Sequence, residues 1–348
     1  MPLLKGIMLL AALLLLLPPI PASANGGPLY YPADGNGPLQ FDTASQISLV
    51  YEKVIFTIGD EAADGSYGKS ADVSIHYRLR NDSPEKRSVS ILFVTPSPQP
   101  VQVSSEEGAL KSDSVPEAAP VNWQPKRRTD VTEPVSGELL NLSRYGWSEA
   151  RTAGTRFTLA FEPGETRSVT MRYRDEGGLY DKGVINPVYS HLYYLSPAAF
   201  WKGAPEAELE VRFRDSRYKV SSNVPLVRKD TTTYQARLDG LPDTEWYFSF
   251  TSTSGLLYPT NMQTAHNSYI LLASLAMLLI VAAASSYWRS RWIYASGAAA
   301  IIGFTVFYIR KIGGYPFNFI FVGAVDLFMG LAVLAVYFRL RRLWNRPK

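Results

Sequence analysis

The chain of 348 residues contains no cysteine and only three histidines. The missing thiols exclude disulfides, Cys-based zinc sites, iron–sulfur clusters, sortase-type chemistry and lipoprotein acylation. His76, His191 and His266 stand far apart, with no HExxH or paired-His spacing, so no zinc site is expected. Acids are nearly absent from the last quarter of the chain. Residues 263–348 hold 9 Lys and Arg against one acid, Asp326, whereas residues 25–262 hold 25 Lys and Arg against 30 Asp and Glu. The pI of about 9.0 therefore reflects charges flanking apolar segments. It does not describe a basic surface, and no nucleic-acid partner is expected.

Long apolar runs are plentiful, but only at the two ends. Lys5, the run from Ile7 to Leu17 and the prolines ahead of Ala22-Ser23-Ala24 have the form of a secretory signal over residues 1–24, with Asn25 as the mature start. Three further apolar segments occupy 269–287, 292–309 and 317–338. Each is close to the ~20 residues that a bilayer core requires, and aromatic residues stand at most of their ends. A cleaved signal followed by three spans puts the N-terminal domain outside and the C-terminus inside. Arg289, Arg291, Arg339, Arg341, Arg342, Arg346 and Lys348 then face the cytoplasm, and only Arg310 and Lys311 face out, as the positive-inside rule requires. The expected location is the plasma membrane, and the expected first partner is the lipid bilayer.

Asp326 stands near the middle of the third apolar segment. A carboxylate at that depth costs ~2.5–3.5 kcal/mol on insertion scales, so it should face protein and find a partner or be protonated. Ser274 and Thr305 fall at similar depth and could donate hydrogen bonds to it. Three uses remain open: a polar contact with another membrane subunit, a proton or ion site, or a hydrogen bond within the module, where Gly323 and Gly330 permit close helix approach.

Between the signal and the first span, helical periodicity is almost absent. Residues 25–45 are rich in Gly, Pro and Asn and read as a flexible leader. From Gln46, short runs alternate apolar and polar residues. "ADVSIHYRLRN" puts Val73, Ile75, Tyr77 and Leu79 on one face, with Ser74, His76, Arg78 and Arg80 on the other. The turn "NDSPEK" follows and predicts a hairpin, and "TRFTLAFEPGETRSVTMRYR" repeats the theme around "EPGE". Turn signals recur about every ten residues, the signature of an antiparallel, Ig-like β-sandwich. The expected division is two packed β-subdomains, 46–175 with a long loop at 95–138, and 176–258. A juxtamembrane stalk at 259–268 and a basic tail at 339–348 complete the layout.

Catalytic signatures are missing as well. Ser66–Lys69 and Ser83–Lys86 match S-x-x-K in turn-like stretches without the accompanying S-D-N or K-T-G motifs, and no G-x-S-x-G exists. Gly68-Lys69-Ser70 lacks the first glycine of a phosphate loop. The acidic runs 59–65 and 34–37 lack EF-hand spacing. No cofactor is expected. The aromatic stretch Tyr189, His191, Tyr193, Tyr194, Phe200 and Trp201 suits either a strand in the core or a platform for glycan or protein contact. These features point to a non-enzymatic envelope protein that binds a partner or helps assemble a membrane complex. A cell-wall carbohydrate module and an unrecognised hydrolase are the alternatives.

Overall fold

The computed structural model describes residues 26–30, 37–59, 69–96, 99–125, 130–141, 152–240, 242, 244–312 and 316–344. The expected signal segment, residues 60–65 of the acidic run, Ser66 and Gly68 of the two motif matches, Asp34 to Asn36, Arg346 and Lys348 lie outside the described residues.

Strands β1 (Gly26–Pro28), β2 (Ile47–Ile58), β3 (Ala71–Asn81), β4 (Arg87–Thr95), β5 (Gln102–Ser105), β6 (Gly108–Ala109), β7 (Ser112–Val115), β8 (Asp130–Thr132) and β9 (Leu139–Asn141) come first. Strands β10 (Ala153–Phe161), β11 (Thr166–Asp175), β12 (Gly178–Tyr180), β13 (Val188–Tyr193), β14 (Glu206–Phe213), β15 (Tyr218–Ser222), β16 (Val227–Arg228), β17 (Thr233–Asp239) and β18 (Trp246–Ser252) follow. Helices α1 (Gln263–Tyr287), α2 (Arg291–Ile312) and α3 (Pro316–Trp344) end the chain.

An eight-stranded sheet, ordered β16-β17-β14-β2-β3-β11-β5-β6, forms the backbone of the β body. All its pairs are antiparallel except β14 with β2, which run parallel. Two four-stranded sheets, β1-β4-β10-β7 and β12-β13-β18-β15, contribute to the same core as the large sheet. That core joins Phe56, Ile75 and Leu209 of the large sheet to Phe93 and Phe157 of one small sheet and Phe248 and Phe250 of the other. Residues 46–175 and 176–258, expected as two packed subdomains, thus share one sheet and one core.

The expected hairpin of β3 with β4 does not form. β3 pairs with β2 and β11, whereas β4 pairs with β1 and β10 in a different sheet. The turn at 82–86 therefore carries the chain from one layer to the other. So does the turn at 162–165, because β10 and β11 also lie in different sheets. The two crossings are fastened to each other by buried Asn81. Its Nδ2 donates to Glu85 O at 2.7 Å and Glu162 O at 3.0 Å, and its Oδ1 accepts from Ser83 N at 3.0 Å. Its backbone N–H donates to Glu165 O and its C=O accepts from Gly164 N. Buried backbone groups at a corner need such partners.

The expected flexible leader is partly built into the fold. β1 pairs with β4, and Phe41 is buried. A Cβ on Gly27 would come within 2.5 Å of the Phe41 ring, so this edge accepts only glycine without rearrangement.

One irregularity re-aims a side chain. The β2–β3 register shifts between Leu49 and Tyr51. Before the shift Ile47 and Leu49 face the core; after it Glu52, Val54, Phe56 and Ile58 do. A bulge reverses the parity of a strand in this way, and here it carries Glu52 into the interior. Tyr193 Oη donates to Glu52 Oε1 at 2.7 Å. Burial, only partly offset by the Tyr193 and Tyr77 hydroxyls, pushes the Glu52 carboxyl up from 4.5 to about 8.

The native state thus holds the Glu52 proton more tightly than the unfolded chain does. Its stabilising effect is complete below pH 4.5 and is lost as pH rises to about 8. Unfolding of the full chain in detergent should show stability falling by a few kcal/mol across that window, with a shallower slope in Glu52→Gln. An unchanged slope in the variant would assign the pH dependence elsewhere.

Candidate functional site

The three helices are long and apolar enough to cross a membrane. Their surfaces carry exposed Leu272, Ile280, Phe304, Phe321, Phe328 and Leu331, as lipid contact requires. α1 begins at Gln263, before the expected Tyr269, and buries Ile270, Ser274, Leu278 and Ala282 at every fourth position. That spacing is one helical face. Gly297 of α2 lets the helices close up, since a Cβ there would lie 2.6 Å from Val281. Tyr294 Oη donates to Gly330 O at 2.5 Å, across to α3.

Asp326 lies on the inner face of α3 and is fully buried by its own bundle. Ser274 from α1 and Thr305 from α2 are buried beside it and flank its carboxyl. The two hydroxyls bond to each other at 3.2 Å, and neither Asp326 oxygen completes a hydrogen bond. The three residues grouped by depth in the sequence are therefore brought together. The carboxyl points inward, so it offers no handle on the lipid-facing surface.

The β body meets this bundle without a stalk. Thr260 and Asn261, within the expected stalk at 259–268, are buried. Asn261 is the bolt. Its Oδ1 accepts from Asn186 N and its Nδ2 donates to Asn186 O, both at 2.8 Å, and its C=O accepts from Ile185 N at 2.8 Å. Gln263 N, at the start of α1, donates to Gly183 O. A second attachment comes from α2. Tyr308 Oη donates to Gly255 O and accepts from Leu257 N, each at 3.0 Å. Tyr258 stacks on Tyr269 and meets His266 edge-on. Asn186, Asn261 and Tyr308 were not singled out from sequence; asparagines in a loop read only as turn signals.

The aromatic stretch is interior, not a binding platform. Tyr193, Tyr194, His191 and Trp201 are buried, and Tyr189 and Phe200 are half-buried. Their neighbours account for this. Tyr189 stacks on Phe250, Phe200 stacks on Phe41, and Tyr194 packs against Trp123. Trp201 Nε1 donates to Gly26 O, pinning β1. His191 Nδ1 lies 2.5 Å from Asp175 Oδ2 and its ring stacks on Phe250. This pair has the make-up of a general base and its orienting acid, yet His191 is 1% exposed, out of reach of any substrate. His76 sits on the polar face of β3, bonded to Ser74 and Thr170. Among the described residues no group of three or more His, Asp and Glu is placed to hold a metal.

Arg289, Arg291, Arg339, Arg341 and Arg342 cluster where α1 and α3 end and α2 begins, far from the β body. No family model matches the chain, and no curated protein matches its sequence. Among solved structures, a candidate nutrient-binding protein from Legionella pneumophila matches at TM-score 0.43 and 11% identity, over 66% of this chain and 72% of that one. An M1 zinc metallopeptidase from Deinococcus radiodurans matches at TM-score 0.27 and 8% identity, over 59% of this chain and 42% of its own. Leukotriene A4 hydrolase from Saccharomyces cerevisiae matches at TM-score 0.33 and 11% identity, over 60% and 31%. This chain thus spans less than half of either hydrolase, and likenesses at this level assign no activity.

Two outcomes follow. Asn261→Ala orphans buried backbone groups at the joint and should destabilise it by about 1–3 kcal/mol, read as faster hydrogen exchange at 183–187 and 253–262 with the rest of the body unchanged. Asp326→Leu removes a buried carboxyl while Ser274 and Thr305 still satisfy each other. Its thermal unfolding in detergent should match or exceed wild type; a clear loss would mean the carboxyl holds the bundle together.

Proposed function

We propose that the chain is a non-enzymatic protein of the cell envelope, in which an extracytoplasmic β body, held at the bilayer surface by three spans, binds a protein partner there. The observation that carries this reading is the double attachment of the body to the bundle, through Asn261 ahead of α1 and Tyr308 on α2. A body fixed in height and orientation suits recognition of another molecule at the membrane face. The placement of the body outside rests on the signal-like leader and the basic residues beside the distal helix ends. Burial places His191, Asp175 and Glu52 beyond the reach of a substrate. Burial of Tyr193, Tyr194 and Trp201 takes away the aromatic face on which a glycan would stack. Protein recognition is therefore favoured over the carbohydrate reading.

The test is photo-crosslinking in intact membranes from probes at exposed Val121 and Val227. A discrete adduct with one membrane or envelope protein is expected. It should survive Asp326→Leu, because that carboxyl faces its own helices. Absence of any adduct from either position, or hydrolytic turnover lost on His191→Ala, would overturn the proposal.

A further inference from the structure

At the end of the bundle farthest from the β body, α1 and α3 diverge around a groove of about 880 Å³. Leu279, Ala283, Val336 and Leu340 form its apolar walls, and Ser286, Arg289, Tyr337 and Arg341 stand around its polar end. Arg341 Nη1 donates to Tyr337 Oη at 3.1 Å, which holds the guanidinium against the rim. Arg289 sits in the reversal between α1 and α2. That reversal is tied by Ser285 Oγ donating to Ser290 O at 2.7 Å.

Neither arginine has a carboxylate partner among the described residues. The one acid of the helical region, Asp326, is fifteen residues from Arg341 along α3, or ~22 Å at the helical rise. Two uncompensated cations therefore border an apolar slot that opens toward the hydrocarbon. The complement to that surface is an amphiphile with an anionic head and acyl chains. A second copy of this chain is a poor fit, because side by side it would bring its own arginines to the same level. An uncharged helix would leave both cations unmatched.

We propose that this groove binds an anionic phospholipid of the leaflet distal to the β body, the phosphate on Arg289 and Arg341 and one acyl chain between α1 and α3. Ser286 supplies a neutral donor beside the head group. The assignment does not depend on the partner-binding role of the body.

Native mass spectrometry of the full chain, delipidated and titrated with phosphatidylglycerol or phosphatidylcholine, tests this. Phosphatidylglycerol should bind more tightly, and the paired substitution Arg289→Ala with Arg341→Ala should weaken it about 10- to 30-fold, since each basic residue near an anionic membrane surface contributes roughly fivefold. Arg342→Ala, which removes an exposed charge outside the groove, should leave binding unchanged. Ala283→Trp fills the slot from an exposed position and should release the lipid while circular dichroism stays helical. Equal retention of both lipids, an Arg342→Ala effect as large as the paired one, or phosphatidylglycerol retained in Ala283→Trp would each overturn the site. A cross-linked dimer through α1 and α3 carrying no lipid would overturn it in favour of a second copy.

Discussion

The layered body depends on the side chain of Asn81. Two chain reversals, after β3 and after β10, must leave one sheet and enter another, and each exposes backbone carbonyls that cannot remain unpaired once buried. Asn81 satisfies both at once, bonding to Glu85 O and Glu162 O. The reversals are thereby stacked, so β3 lies beside β11 in one layer and β4 beside β10 in the other. The shared core follows from that stacking. Val73, Ile75 and Tyr77 look across at Ile91, Phe93 and Phe157, and the burial of this apolar surface is the main favourable term in folding.

Alternation in the sequence identified the inward face of β3 residue by residue, because a period of two is a direct record of which side is buried. It carries no record of which strand lies alongside. A turn joining two alternating runs looks the same whether the runs pair or face each other across a core, and "NDSPEK" was therefore read as a hairpin. The parallel pairing of β14 with β2 was equally invisible, since it joins segments some 150 residues apart. The bulge beside Tyr51 has no marker of its own in the sequence, and only the register places Glu52 inward. The three helices were legible in number and nearly so in extent, because length and apolarity are the physical requirement for crossing lipid.

The polar cluster in the bundle was readable for the same reason. One acid in an apolar stretch is conspicuous, and helix rise alone set Ser274 and Thr305 at its level. Its direction was not readable. Whether Asp326 faces lipid or protein depends on how α3 is rotated, and Tyr294 reaching Gly330 helps to set that rotation. The aromatic stretch shows the converse limit. Tyr, His and Trp suit a core and a binding face equally well by composition. Here the strand partners of β13 decide for the interior, with Phe250 of β18 stacked on His191 and Phe248 tilted against it.

The joint between body and bundle has a mechanical consequence. A single covalent connection would let the body swing about the start of α1. The second contact, Tyr308 on α2 with Gly255 and Leu257, lies on a different helix and removes that rotation. The β body is thereby fastened to both α1 and α2. Among the described residues α3 makes no hydrogen bond to the body, and it is tied to α2 through Tyr294 and Gly330. The groove lined with arginines lies at the seam between α1 and α3. An amphiphile lodged there bridges that seam with apolar contact on both walls and charge pairing at Arg289 and Arg341.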